Sequence, residues 1–375
     1  MQQLDDLVRE AQRTLTICNA CRYCEGFCAV FPAMERRLQF TPGDIHYLAN
    51  LCHNCGECYY SCQYAPPNEF AVNIPQVLAQ VRGGSYRRYA WPGPLAALFD
   101  RNGLFASLAL AVGIVGALLI AVAVLGSWDA LLTPAAGGNF YQIIPHNVMA
   151  TAFGLVALFV LLALVIGFSR FWRDAEEAPG GIVQPGPLGQ ALDDALSLRY
   201  LHGNGNVGCT YPRDDQSNAR RWFHHFTFYG FMACFAATCV GTIYHYVFDW
   251  HAPYGLLSLP VILGTLGGIG LVIGPAGLLY LKLQRDPNTA DVKQTGMDVA
   301  FIVQLLLTSI SGLALLAFRE TSFLGLLLVI HLGIVMALFV TLPYGKFVHG
   351  MYRLAALLKN ALEARRPNLG LGGEG

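Results

Sequence analysis

The sequence predicts an all-α protein, a small α-helical ferredoxin domain followed by a six-helix transmembrane bundle. Three observations lead there. Hydrophobic residues make up 54% of the 375-residue chain and charged residues 13%, against roughly 25% charged in an ordinary soluble protein, so most of the chain is expected in lipid. Eight of the eleven cysteines fall in two tandem runs of one spacing, Cys18/Cys21/Cys24/Cys28 and Cys52/Cys55/Cys58/Cys62. Six later stretches are apolar over the ~20 residues that a helix needs to cross a bilayer.

Residues 1–95 are polar and cysteine-rich, and they close on a Gly-Gly-Ser-Tyr-Arg-Arg and Trp-Pro-Gly-Pro linker. Within them 44–50 and 74–82 have helical spacing, and nothing alternates as a strand would. The amino terminus, MQQLDDLVREAQ, has no basic region followed by an apolar core, so no secretory signal is expected. Closely spaced thiolate ligands suit a reducing compartment, the cytoplasmic side. Basic and acidic residues balance at 24 each, which leaves no net field for nucleic acid or an acidic substrate. Cys209, Cys234 and Cys239 are scattered and read as ordinary small residues.

The membrane domain is expected over 96–350, with spans near 103–126, 146–168, 224–248, 256–281, 297–318 and 323–345, and a cytoplasmic tail over 351–375. Lys and Arg alternate across these spans. Arg82, Arg87, Arg88 and Arg101 precede the first, six arginines lie between the second and third, and Lys282, Arg285 and Lys293 lie between the fourth and fifth. The tail is basic too, whereas 127–145 and 249–255 hold no Lys or Arg and 319–322 only Arg319. The positive-inside rule then puts both termini in the cytoplasm, in an inner-membrane protein. Trp128, Trp172, Trp222 and Trp250 fall at the expected interfaces. The polar loop 169–223 reads as a docking surface. Its 203-GNGNVG-208 formally matches a dinucleotide fingerprint, but no strand precedes it and a span follows, so that reading is rejected.

A cubane cluster needs four thiolates, and CxxCxxC delivers three from one tight turn. In two-cluster ferredoxins the fourth cysteine of each run serves the other cluster. Cys18, Cys21 and Cys24 would therefore hold one [4Fe–4S] cluster with Cys62, and Cys52, Cys55 and Cys58 the other with Cys28. Zinc is the alternative, but it favours separated ligand pairs over interlocking runs. No proline directly follows Cys28 or Cys62, which departs from the compact bacterial ferredoxin pattern.

Ionisable residues inside a span are costly and suggest function. His224 and His245 on the third span, His331 on the sixth and His349 beyond it are candidate axial ligands of haem b. Along a continuous helix His331 and His349 return to about the same face, and His224 and His245 stand about 60° apart, whereas His225 and His245 would stand about 160° apart. With the two spans antiparallel, His224/His349 would form an inner pair and His245/His331 an outer one, so that two stacked haems are expected. His146 and His251 read as outer-surface residues, His46 and His53 as part of the cluster domain. The glycines of the fourth span, with Gly264-xxx-Gly268 and Gly270-xxx-Gly274, suit close helix packing.

With 220-RRWFHHFTFYGF-231, 244-YHYVF-248 and 263-LGTLGGIGLVIGPAGLL-279 beside the paired cysteine runs, nearly the whole chain resembles the tricarballylate-utilisation electron-transfer (TcuB/CitB) family. Its histidines also resemble those of b-type cytochrome subunits joined to heterodisulfide-reductase-like ferredoxin domains. The resemblance implies a helical ferredoxin domain and a soluble FAD-dependent tricarballylate dehydrogenase as partner. Its flavin would be reoxidised through two [4Fe–4S] clusters and haem b, with quinone as acceptor. The chain would be the quinone-reducing subunit, without dehydrogenase activity of its own. A membrane redox sensor, or the same subunit serving another dehydrogenase, is the competing expectation. A transporter would want polar residues along several spans.

Overall fold

A computed structural model describes residues 2–125, 128–175, 182–203 and 208–366. Residues 204–207 of the rejected fingerprint and 367–375 of the expected tail lie outside the described residues.

The chain starts with α1 (Gln2–Cys21), α2 (Val30–Glu35), α3 (Pro42–Leu51), α4 (Glu57–Tyr60) and α5 (Ile74–Tyr89). Local chemistry sets several boundaries. Thr41 and Asp44 form a reciprocal capping box with Pro42 in the first turn of α3. Asn73 caps α5 by accepting from the Gln76 N–H, and Arg87 and Arg88 fall in its last turn, where the helix dipole favours cations. Leu15, Met34, Ile45, Tyr47, Leu48, Leu51 and Leu78 are fully buried where α1, α2, α3 and α5 meet.

The membrane part follows as α6 (Gly93–Leu125), α7 (Asp129–Leu132), α8 (His146–Asp174), α9 (Pro185–Leu196), α10 (Ala219–Val247), α11 (Leu259–Leu283), α12 (Thr295–Ala317), α13 (Leu324–Thr341) and α14 (Val348–Glu363). Among the described residues the only strands are β1 (Cys209–Thr210) and β2 (Gln216–Ser217), an antiparallel pair. Six helices are long and apolar enough to span a membrane: Gly103–Val124, His146–Asp174, Ala219–Val247, Leu259–Leu283, Val292–Ala317 and Leu324–Thr341. Large apolar side chains remain exposed on them, among them Leu155, Leu158, Leu161 and Val165 on α8 and Met232 and Phe235 on α10. Such a belt is stable in lipid and not in water, and the chain is a multi-pass membrane protein.

The glycines of α11 let α10 approach closely, through the expected Gly270-xxx-Gly274 pair but not through Gly268 of the other. A Cβ at Gly267 would stand 2.7 Å from Gly230 O, and one at Gly270 3.0 Å from Phe226 O. Gly274 likewise meets Thr227 and Phe223, whereas Gly268 faces Leu313 on α12. The packing face is Gly267, Gly270, Gly274 and Gly277, a stripe at helical spacing.

Connections alternate between two sides, as the Lys/Arg pattern requires. On one side the cluster domain meets the 174 and 286–289 connections: Tyr89 Oη donates to Asp174 at 2.9 Å, Tyr60 Oη to Asp286 at 2.8 Å, and Asn73 Nδ2 to Asn288 O at 2.7 Å. On the other, Arg319 donates to Tyr254 O at 3.0 Å. Trp128, Trp222 and Trp250 are more than half exposed, but Trp172 is 3% exposed, packed on Phe168 at the junction with the cluster domain.

The segment after the last span departs from a tail. Tyr352, Ala355, Ala356, Leu357, Leu358 and Leu362 of α14 are buried in the core of the cluster domain. Glu363 is held by Arg37, which also pairs with Asp44 at 2.5 Å. The alternation of apolar and polar residues along α14 has a core to face only because the last span returns to the side carrying residues 1–89. Likewise the described part of 169–223 is packed on one side: α9 buries Ala191 in that same core, and β1 lies on the second cysteine run.

At the edge of the bundle Asp298 accepts from Lys282 and from Lys346, the latter at 2.9 Å, tying α11 and α12 to the segment before α14. Asp298→Asn leaves two half-buried ammonium groups unpaired and is expected to cost about 3 kcal/mol, read as a lower apparent Tm in detergent. An unchanged Tm would mean that the lysines find other partners.

His46 is 1% exposed and donates Nδ1–H to Ser85 Oγ at 2.8 Å, because that hydroxyl gives its own proton to Val81 O. Burial, then the nearby Arg88, pull its pKa from the ordinary 6.5 down to about 4. Unfolded chain binds this proton below 6.5, folded chain only near 4, so the stabilisation is complete above 6.5 and is lost as pH falls towards 4. The span corresponds to about 3 kcal/mol. Melting curves between pH 7 and 4 are expected to flatten in His46→Gln; an unchanged slope would assign the acid sensitivity elsewhere.

Candidate functional site: two thiol groups and a histidine pair

Cys18 and Cys21 share a face in the last turn of α1, which Arg22 ends in the left-handed region at φ 57°. Cys24 follows in the next turn and Cys28 just before α2. In the second run Cys52 caps α3, Cys58 lies in α4, and the turn between them needs left-handed Asn54 (φ 54°) and Gly56 (φ 90°). A Cβ at Gly56 would also stand 2.6 Å from Thr210 O, so glycine is required there twice over.

The thiols gather across the runs. One cavity, of about 240 Å³, is lined by Cys18, Cys21, Cys24, Cys58 and Cys62. A second, of only about 10 Å³, is lined by Cys28, Cys52, Cys55 and Cys58. Seven of the eight thiols thus divide between the two cavities as crossed sharing would have them, and Cys58 borders both.

Burial, then mutual repulsion with Cys62 and its other neighbours, pushes the Cys18 and Cys24 thiols up to about 12, and burial pushes Cys28 and Cys58 well up. Such thiols lose their protons only to a strongly cationic centre. The N–H groups of Val30 and Phe31 point at Cys28, and that of Glu57 at Cys55, the donors that iron–sulfur sites direct at ligand sulfur. Cys209, which belongs to no motif, is fully buried on β1. It lies in hydrogen-bond contact with Cys55, and its Sγ–H donates to Leu201 O at 3.5 Å. No local spacing connects it to a run so far away in sequence.

The histidines divide differently from the expectation. His224 and His349 do meet, edge to face, with ring centroids 6.0 Å apart. His349 donates Nδ1–H to Lys346 O at 2.5 Å, which leaves its Nε2 lone pair free, and the buried Nδ1 of His224 has no hydrogen-bond partner. Burial, then Lys346, holds His349 well below the usual imidazole range, hence neutral. Neutral rings with an unused nitrogen are what axial ligation needs.

His245 and His331, the expected outer pair, have other neighbours. His245 stacks on His146 at 3.8 Å and lies 4.5 Å from His251. His331 donates Nδ1–H to Ser311 Oγ at 3.0 Å and rests against Gly312, where a Cβ would stand 2.9 Å from its ring. The continuous-helix argument for the sixth span fails because α13 stops at Thr341 and α14 starts anew at Val348. His146 and His251, left aside as surface residues, are the ones that gather around His245.

Arginines join the two sites. Arg353 Nη2 donates to Cys52 O at 2.9 Å, and Arg220 donates to His53 O at 3.0 Å and Asn54 O at 2.9 Å. Each lies one helical turn from a histidine of the pair, Arg353 from His349 on α14 and Arg220 from His224 on α10.

Residues 101–370 match the family model described as citrate utilization protein B, and residues 11–88 match that family's Fer4-like domain. A citrate utilization protein B of Escherichia coli is 53% identical over 98% of this chain and 98% of its own. The chain belongs to the citrate utilization protein B family. No solved structure matches it. The Fer4-like match covers both cysteine runs, so the thiol groups are those of an iron–sulfur domain with an electron-transfer role. The domain is helical, as the resemblance implied.

Proposed function

We propose that the protein carries electrons from the reduced FAD of a soluble dehydrogenase to a membrane quinone, through two [4Fe–4S] clusters and a haem b. The observation that carries this reading is the continuity of the site: two interlocked thiol groups, then Arg220 and Arg353, then the His224/His349 pair at the membrane edge. When bound, the clusters and haem supply one-electron carriers between two two-electron partners, FADH2 giving two electrons and two protons and quinone taking up the same.

The chain's own residues hold and space these groups. Cys18, Cys21, Cys24 and Cys62 hold the first cluster as thiolates, and Cys52, Cys55, Cys58 and Cys28 the second. His224 and His349 face each other from α10 and α14 with nitrogens left to bind iron. Positive-inside alternation supports placement in the inner membrane with the cluster domain cytoplasmic, where a soluble flavoprotein reaches it. Tricarballylate is our preferred substrate of that partner. The relative's name speaks of citrate, a tricarboxylate that differs from tricarballylate by one hydroxyl group.

Iron and sulfide analysis of anaerobically purified protein is expected to give two four-iron clusters per chain. Cys28→Ser is expected to leave the EPR spectrum that Cys55→Ser leaves, and Cys62→Ser the one that Cys21→Ser leaves. If Cys28→Ser matches Cys21→Ser instead, the crossed ligation is wrong.

A reduced-minus-oxidised optical spectrum is expected to show one b-type haem per chain, lost in His224→Ala and in His349→Ala and kept in His331→Ala and His245→Ala. Loss in either of the last two would restore the outer pair as a second haem site, and no haem band at all would remove the haem from the pathway.

A further inference from the structure

The surroundings of the two thiol groups differ in charge. Four arginines ring the second. Arg82, 6% exposed, donates to Cys52 O at 2.7 Å and Ala49 O at 3.1 Å, and Arg353 donates to the same Cys52 carbonyl. Arg220 holds the carbonyls of His53 and Asn54, and Arg285 donates to Asn54 Oδ1 and to Thr289 O at 2.5 Å. Every one of these acceptors is neutral.

Among the described residues none of the four arginines forms an ion pair, and the buried Nε of Arg285 and of Arg353 has no hydrogen-bond partner. Asp298, whose charge reaches Arg285, is already held by Lys282 and Lys346. The first group has no comparable ring among the described residues: Arg22 and Glu25, in the turn after Cys21, both face Glu35, and Glu57, between Cys55 and Cys58 in sequence, acts on Cys24 and on the Cys209 thiol beside Cys55, so its charge is shared by the two groups.

Permanently charged guanidinium groups are not buried together on neutral partners unless an anion belongs among them. A four-iron cubane with four thiolates is such an anion, doubly charged when oxidised and triply charged when reduced. Cations around it favour the added electron, and acids oppose it.

We propose that Arg82, Arg220, Arg285 and Arg353 are the counter-charge of the second cluster and make it the more readily reduced of the two, so that electrons enter at the Cys18/Cys21/Cys24/Cys62 centre and move to the Cys28/Cys52/Cys55/Cys58 centre. The inference rests on the two-cluster reading above. The step is one electron out of the first centre and one into the second, with no bond made or broken and no proton moved. The arrangement also suits the surroundings: Cys21 is exposed towards a soluble donor, whereas Arg220 and Arg353 lie beside His224 and His349, towards the membrane.

Potentiometric EPR titration of the full chain in detergent tests it. Two four-iron steps are expected, and Cys62→Ser is expected to leave the upper one. Arg353→Gln and Arg285→Gln are each expected to shift the upper step down and leave the lower one in place, and Arg353→Lys to stay near the wild type. Arg82→Gln is expected to shift the upper step in the same direction, a second readout if Arg353→Gln or Arg285→Gln fails to take up iron. An upper step unmoved at full iron content, equal shifts of both steps, or an upper step that belongs to the first centre would overturn the proposal. Iron for a single cluster in the wild type would overturn the two-cluster reading, and this inference with it.

Discussion

The contacts that most of the structure depends on are those between the backbone carbonyls of Cys52, His53 and Asn54 and the guanidinium groups of Arg82, Arg220 and Arg353. Cys52 O accepts from an arginine of the cluster domain and from one of α14, so one carbonyl joins the soluble and membrane halves. The turn that presents these carbonyls holds left-handed Asn54 and Gly56, a conformation that costs energy at asparagine and is kept only where its surroundings fix it. Through Arg220 and Arg353, each one turn from a histidine, the same contacts set how far the second thiol group lies from the His224/His349 pair. Neither half of the molecule sets that separation alone.

What was legible in the sequence is what short-range spacing decides. Each cysteine run closes within eleven residues, so its turn geometry is local, and the gathering of thiols across the runs follows once both lie in one small domain. Long apolar stretches and the Lys/Arg alternation are equally local, and six spans with alternating connections resulted. The histidines show where spacing stops. Counting residues fixes an angle and a depth on one straight helix, but not which helix lies beside it. α10 packs chiefly on α11, and α13 on α6 and α12, so the outer histidines found other partners. His224 and His349 meet because the first turns of α10 and α14 both lie at the membrane edge, a reason that helical arithmetic did not contain.

The same limit explains the segments that looked loose. Polar composition made 169–223 and 351–366 read as loop and tail, yet both pack on the cluster domain. Ala191 on α9 and Leu357 on α14 are fully buried, and neither stretch has enough apolar residues to announce a core by itself. Their partners lie more than a hundred residues away. Cys209 is the sharpest case, a single thiol brought to Cys55 by a hairpin whose Tyr211 ring is held by the guanidinium groups of Arg220 and Arg285, 4.5 and 5.4 Å from its centroid.

Two costs around the second thiol group have one common remedy. Its thiols are buried beyond easy ionisation, and its arginines are buried on neutral acceptors; burial and Arg82 draw even the Arg353 guanidinium down to about 10. Thiols alone do not relieve the arginines, because protonated they carry no charge. An iron–sulfur core ionises the thiols and presents a net negative charge to the arginines in one event. Cofactor binding and the docking of the cluster domain on the membrane helices are thereby coupled, since the carbonyls that hold the arginines belong to the run that holds the iron. Electrostatics then adds to the apolar burial of α8, α9 and α14 in the same core, with Arg220 supplied by α10, Arg285 by the connection after α11 and Arg353 by the returning α14.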